Sequence, residues 1–179
     1  MKNLWKLSLL SIIALLCSCD REAQIITSVE PVADGEWQCF RKEFCLVSGK
    51  GVSLKVAADT KYWLYVNGEL VVREGGLKRG PNPTDSYCDV FDEVSNLKCG
   101  RNSVAVLVQY YGRNSFSHKP TAMPGLWFDM NTGSRHIVSD KSWKAVRYDA
   151  FWAPADENPK GHKQYRLAGA NVGYDARKA

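Results

Sequence analysis

The stretch Asp59–Asp92, DTKYWLYVNGELVVREGGLKRGPNPTDSYCDVFD, decides the fold. Asn67-Gly68 supplies the two positive-φ positions of a type I′ turn, and the flanking Tyr62–Val66 and Glu69–Arg73 are largely aromatic or β-branched, which suits a pleated surface. A two-residue turn forces the pairing: Val66 opposite Glu69, Tyr65 opposite Leu70, Leu64 opposite Val71, Trp63 opposite Val72 and Tyr62 opposite Arg73. Both faces then carry large side chains. Such a hairpin lies in a sheet covered on both sides, or holds aromatics out on one face for a ligand. Beyond it, Gly75-Gly76, Gly80-Pro81 and Pro83 punctuate Leu77, Lys78, Arg79 and Asn82, which predicts a stiff loop in place of a continued strand. Stiff loops on sheets commonly carry binding groups, although solvated Lys78 and Arg79 on a structural Ω-loop are the plainer alternative. The segment lacks the Gly-Lys-Ser/Thr ending of a phosphate loop.

Working outward, Trp37–Val47 reads as a first strand with Phe40, Phe44 and Leu46 on one side. Val52–Ala58 alternates as a half-buried strand, and the valine-rich run Ser103–Tyr111 fits a central sandwich strand after a turn at Leu97–Asn102. Pro124–Met130 and Ser142–Tyr148 supply two more strands, with a turn at Asn131-Thr132-Gly133. From Ala153 to Lys163 the composition is that of a surface loop, before a last strand around Tyr165–Val172. Short strands, frequent glycine or proline turns and no long amphipathic helix predict an all-β sandwich.

Residues 1–18 read as a lipoprotein signal peptide: Lys2 and Lys6 form a basic start, Leu7–Leu16 an apolar segment, and Leu16-Cys17-Ser18-Cys19 a cleavage box with Cys19 as the lipidated residue. A spanning helix needs about 20 apolar residues, so this run is too short to remain as one. Residues 19–36 then form a tether and 37–177 one domain. The expected location is the cell envelope, as a lipoprotein on a bacterial membrane (outer membrane or periplasmic face). Without its first eighteen residues the chain keeps 22 basic against 19 acidic residues, and the basic ones are scattered, so no nucleic-acid footprint is present. Cys39, Cys45, Cys88 and Cys99 remain, and free buried thiols are the expectation. Cys39 and Cys45 share a face about 20 Å apart on an extended strand and cannot bond each other, whereas Cys88 and Cys99 could meet. No Cys-x-x-Cys spacing suggests zinc, and no metal or cofactor is expected.

The runs Phe40-Arg41-Lys42-Glu43-Phe44, Ala58 through Gly68 and Gly75 through Pro81 resemble the N-terminal domain of bacterial α-L-rhamnosidases of glycoside hydrolase family 78. Leu97–Asn102, Gln109-Tyr110-Tyr111-Gly112, Phe116-Ser117-His118, Ser139–Lys144 and Tyr174-Asp175-Ala176-Arg177 extend the resemblance across roughly 37–177. It implies a galactose-binding-like jelly roll placed ahead of a helical (α/α)6 catalytic barrel, with the catalytic acid and base in that barrel. On this reading the chain is a non-catalytic module that assists recognition of rhamnose-containing glycans or supports a catalytic glycosidase domain. A fragment of an active α-L-rhamnosidase and a purely structural interaction module are the alternatives.

Glycoside hydrolysis generally needs two carboxylates about 5–9.5 Å apart, and Asp85, Asp89, Asp92 and Glu93 read as turn carboxylates instead. His136 and His162 have no neighbour suggesting acid-base work. Sugar binding needs only an aromatic face and a few fixed polar groups, and a neutral glycan suits the small net charge better than a polyanion. Trp63, Tyr87, Tyr110, Tyr111 and Trp127 are the candidate faces, and Arg73, Lys78, Arg79, Asn82, Asn114 and His118 the candidate donors. The same side chains equally read as an interdomain interface.

Overall fold

The computed structural model describes residues 22–28, 30–76, 78–79, 86–112, 124–152 and 172–178. The signal peptide, Cys19, Asn82, Asn114, His118 and the expected loop at Ala153–Lys163 lie outside the described residues. Two antiparallel sheets pack face to face as a β-sandwich. One has five strands in the order β11 (Lys144–Arg147), β1 (Glu36–Leu46), β8 (Gly100–Tyr110), β3 (Lys61–Val66) and β4 (Glu69–Gly75). The other has β10 (His136–Val138), β9 (Leu126–Asn131), β2 (Ser53–Ala58) and β7 (Asp89–Phe91). Two ribbons complete the strands, β5 (Lys78–Arg79) with β6 (Ser86–Tyr87), and β12 (Phe151–Trp152) with β13 (Gly173–Tyr174).

The period-2 pattern builds the core. Phe40, Phe44, Tyr62, Leu64, Val104, Val106 and Val108 point inward from the first sheet, and Leu54, Val56, Leu126, Phe128 and Met130 from the second. As expected of a valine-rich run, β8 is central, paired with β1 through eleven positions and with β3 through six. The last expected strand, around Tyr165–Val172, falls almost wholly outside the described residues, and the last one described is Gly173–Tyr174.

The Asn67-Gly68 turn forms with φ of 52° and 87° and does more than reverse the chain. Asn67 Oδ1 accepts from the Ser103 amide at 2.9 Å, while its Nδ2 donates to Asn96 O at 2.7 Å and to Asn102 Oδ1 at 2.9 Å. Buried Asn102 in turn donates to Lys98 O and Gly100 O and accepts from the Lys98 amide. Two asparagines thereby fasten the hairpin to the turn that feeds β8.

The hairpin register holds at Val66↔Glu69 and Tyr65↔Leu70 and then departs from the simple count. Leu64 pairs with Val72, not Val71, and Tyr62 with Gly75, not Arg73. The physical reason is the Tyr62 ring. It is fully buried, and its aromatic edge occupies the space where a Cβ at residue 75 would lie, 2.2 Å from Cζ, so only glycine fits opposite it. β4 bulges to bring Gly75 there, with Glu74 at φ 56°. The Tyr62 hydroxyl donates to Asp89 Oδ2 at 2.8 Å, and the Gly76 amide reaches the same oxygen at 3.2 Å. Burial, followed by this bond to Asp89, pushes the phenol far above its usual range, so it remains a donor. Tyr62→Phe removes a partner from buried Asp89 and is expected to cost about 1–3 kcal/mol in a urea melt. An unchanged midpoint would contradict that role.

Part of the glycine-punctuated segment, expected as a stiff loop, is strand. Lys78 pairs with Tyr87 and Arg79 with Ser86, so its ends run back alongside each other as a short antiparallel ribbon. Backbone pairing satisfies amides that a loop would leave to water. The four described cysteines are free, yet the expectation of burial fails: Cys45 and Cys99 are exposed, and Cys39 and Cys88 are half-buried.

Candidate functional site

The outer face of the five-stranded sheet answers the question posed by the two-faced hairpin. With Tyr62, Leu64 and Val66 committed to the core, the alternate residues Trp63 and Tyr65 point out. Cross-strand register then assembles two rows on that face: Val146, Cys39, Leu107 and Trp63, and beside it Lys144, Arg41, Ala105 and Tyr65. The small side chains of Cys39 and Ala105, set between larger neighbours in the two rows, leave a trough. Tyr148, Phe151 and Tyr174 rise along the β11 side, where Phe151 and Tyr174 pair across the β12–β13 ribbon. The resulting groove has a volume of about 560 Å³, within the range of small-molecule sites.

Phe151 and Tyr174, which line the groove, belong to a series of touching aromatic rings that continues beside it to Trp37 and Trp63. Trp63 stacks on Trp37 with centroids 5.2 Å apart and planes at 26°. Trp37 meets Phe151 at 4.5 Å, and Phe151 meets Tyr174 at 4.8 Å and Tyr148 at 5.6 Å. Trp37 is only 4% exposed because Trp63 and Phe151 cover it, whereas Tyr174 is 52% exposed. Tight support beneath an accessible ring is the arrangement that presents an aromatic face at little conformational cost.

Cys39 lies on the groove floor, where burial pushes its thiol up to about 11. Because the folded value exceeds the unfolded one, the associated stabilisation is complete below about pH 8.5 and is lost as pH rises toward 11. In an alkylation time course at pH 8, Cys45 and Cys99 are expected to react well before Cys39. Equal rates would show that the floor is open to reagent and the thiol unperturbed.

Of the residues singled out from the sequence whose side chains the structure describes, Trp63 joins this aromatic series. Tyr110 points inward and is 7% exposed, its phenol pushed up by burial and then by nearby Asp59 and Asp34. Tyr111 follows β8, its amide donating to Thr60 Oγ1 at 3.1 Å. Trp127 stands on the outer face of the other sheet, its indole N–H donating to Ala23 O at 3.2 Å. Arg73 is exposed on β4 at the sheet edge. Lys78 and Tyr87 are register partners on the β5–β6 ribbon, with Arg79 next to them, while Asn82, Asn114 and His118 lie outside the described residues. Asp89, expected to be a turn carboxylate, lies instead on β7 opposite Val56 and serves as the buried acceptor of Tyr62.

Sequence reasoning passed over Trp37, Tyr65, Tyr148, Phe151 and Tyr174. A signal for Trp37 was present: it has the parity of Cys39 on β1, opposite to that of Phe40 and Phe44, and so must point away from the core.

No protein-family model matches the sequence, and no curated protein matches it. Solved structures do. The chain is similar to a GH78 family rhamnosidase of Bacillus sp. GL1, with 29% identity and a TM-score of 0.60 over 73% of this chain and 14% of that one. It is similar in fold to the Streptomyces avermitilis α-L-rhamnosidase solved with L-rhamnose, with 21% identity and a TM-score of 0.50 over 86% of this chain and 14% of that one. The Dictyoglomus thermophilum α-L-rhamnosidase gives 18% identity and a TM-score of 0.52 over 87% of this chain and 20% of that one. The resemblance read from sequence is therefore matched by structure, and this chain spans 14–20% of the length of those rhamnosidases, the share of a single domain.

Proposed function

We propose that the chain is a non-catalytic, jelly-roll, galactose-binding-like module of the rhamnosidase type, and that the outer groove is where it takes the apolar side of a sugar ring in a rhamnose-containing glycan. The observation that carries this reading is the series of touching rings Trp63–Trp37–Phe151–Tyr174 on a sheet face that the core does not use. A pyranose, and a 6-deoxy sugar such as rhamnose above all, offers C–H surface to an aromatic face. Tyr65, Tyr148 and Tyr174 line the same groove and bring phenol groups that can meet sugar hydroxyls. As a proposal of the same kind, Cys19 carries lipid and holds the module at a bacterial membrane.

A second reading has its own support. Leu107, Val146 and Ala105 make much of the groove apolar, which also suits the side of a catalytic glycosidase domain. Calorimetric titration of the chain with L-rhamnose and rhamnosylated oligosaccharides separates the two. Saturable heats, with tryptophan emission shifting in parallel, are expected of a glycan site; flat heats at millimolar ligand would remove it and leave the docking role. Hydrolysis of an aryl α-L-rhamnoside by the chain alone would overturn the non-catalytic assignment.

A further inference from the structure

The groove is not uniform from end to end. Along the outward positions of β1 the residue type runs from Trp37 through Cys39 to Arg41, Glu43 and Cys45, so the aromatic end gives way to a charged one. At that charged end Arg41 lies directly opposite Lys144 on β11, and both line the groove. Two cations facing each other across a strand pair destabilise it unless something negative sits between or above them. The anion at hand is Glu43, which accepts from Arg41 at 2.8 Å and also from Arg101. Its carboxyl is held below the usual range mainly by Arg101, with smaller contributions from Arg41 and Lys144. One carboxylate thus faces three cations, and Lys144 makes no ion pair among the described residues.

The geometry points to an acidic sugar: the groove receives a hexuronate next to the residue stacked on its aromatic rings, with the carboxylate placed at Arg41 and Lys144. This rests on the glycan reading above and narrows its ligand. The chain's small net charge disfavours a polyanion, but a single carboxylate needs only a local excess of positive charge, and that is what the rim of this groove supplies. Arg41 offers a planar fork that accommodates a carboxylate in two-point fashion, and Lys144 a mobile point charge on the adjacent strand.

The test compares a rhamnosyl-glucuronate disaccharide with its rhamnosyl-glucose counterpart, in which the carboxylate is reduced to the alcohol, by calorimetry against the whole chain. The acidic disaccharide is expected to bind about fivefold more tightly at low salt, with the preference shrinking as salt rises. Lys144→Gln and Arg41→Gln, both exposed, are expected to abolish the preference for the acidic disaccharide over the neutral one. Equal affinities for the two sugars would overturn the uronate assignment and leave the glycan reading intact. No binding of either would remove both. A preference that survives both substitutions would also overturn it, by placing the carboxylate elsewhere.

Discussion

Phe128→Ala is expected to lower the free energy of unfolding by about 3–5 kcal/mol, the largest single-site loss of stability foreseen for this sandwich. Phe128 is fully buried on β9, at the centre of the smaller sheet, and meets Trp143 edge to face with centroids 5.0 Å apart at 64°. Trp143 is itself fixed by an indole N–H bond to Val138 O at 2.8 Å, so it is not free to swing into the vacated volume. The Phe128 amide is also held, by Ser139 Oγ at 2.9 Å. A cavity that cannot collapse takes the upper part of the range, a large share of the roughly 5–15 kcal/mol of a typical domain. Urea denaturation followed by circular dichroism reads this directly, and a drop in the midpoint of about 2 M is expected. A shift under a quarter of that would mean that the two sheets do not rely on this contact.

Trp63→Ala is expected to weaken binding of rhamnosylated ligands by about 30-fold or more, the magnitude usual for an aromatic anchor, because Trp63 flanks the groove and supports, through Trp37, the Phe151 ring that lines it. The change takes away the outer ring of the stack and leaves Trp37 uncovered on one side. Its effect on stability is expected to be much smaller than that of Phe128→Ala, since Trp63 is half-buried and stands on the solvent side of β3. Trp127→Ala supplies the control. It removes an equally large side chain from the opposite sheet and is expected to leave affinity unchanged. If both substitutions weaken binding to the same degree, the groove is not the sugar site.

What could be read from the chain before its fold was known follows a physical division. The β-sandwich was legible because strand parity and turn chemistry are local: Asn67-Gly68 needs nothing beyond its neighbours to make a type I′ turn, and Phe40, Phe44 and Leu46 reveal one face of β1 unaided. The bulges in β4 were not legible, because Val71, Val72 and Arg73 carry no period that selects a register. What selects it is the Tyr62 ring seeking Asp89, 27 residues away, across a glycine. The site divides in the same way. Trp63 could be found because it alternates with core residues in a recognisable hairpin. Phe151 and Tyr174 could not, because their place in the groove depends on a ribbon joining positions 23 residues apart in sequence and on Tyr148 extending the β11 edge to Trp37 O. Exposure is equally non-local: Tyr110 and Trp127 read alike as aromatics on strands, yet one faces the core and the other the far surface.

The β4 bulges have a further consequence, for how the protein behaves in company. A flat outer strand invites a second molecule to extend the sheet. Here the outer strand of the larger sheet is kinked and carries exposed Glu69, Arg73 and Glu74, while at its other border β11 bears Lys144 and Arg147. The borders of the smaller sheet, β7 and β10, are three residues each, too short to template a neighbour. Crowded copies are therefore expected to stay monodisperse in light scattering, each repelling the next along the line where polymerisation would otherwise begin.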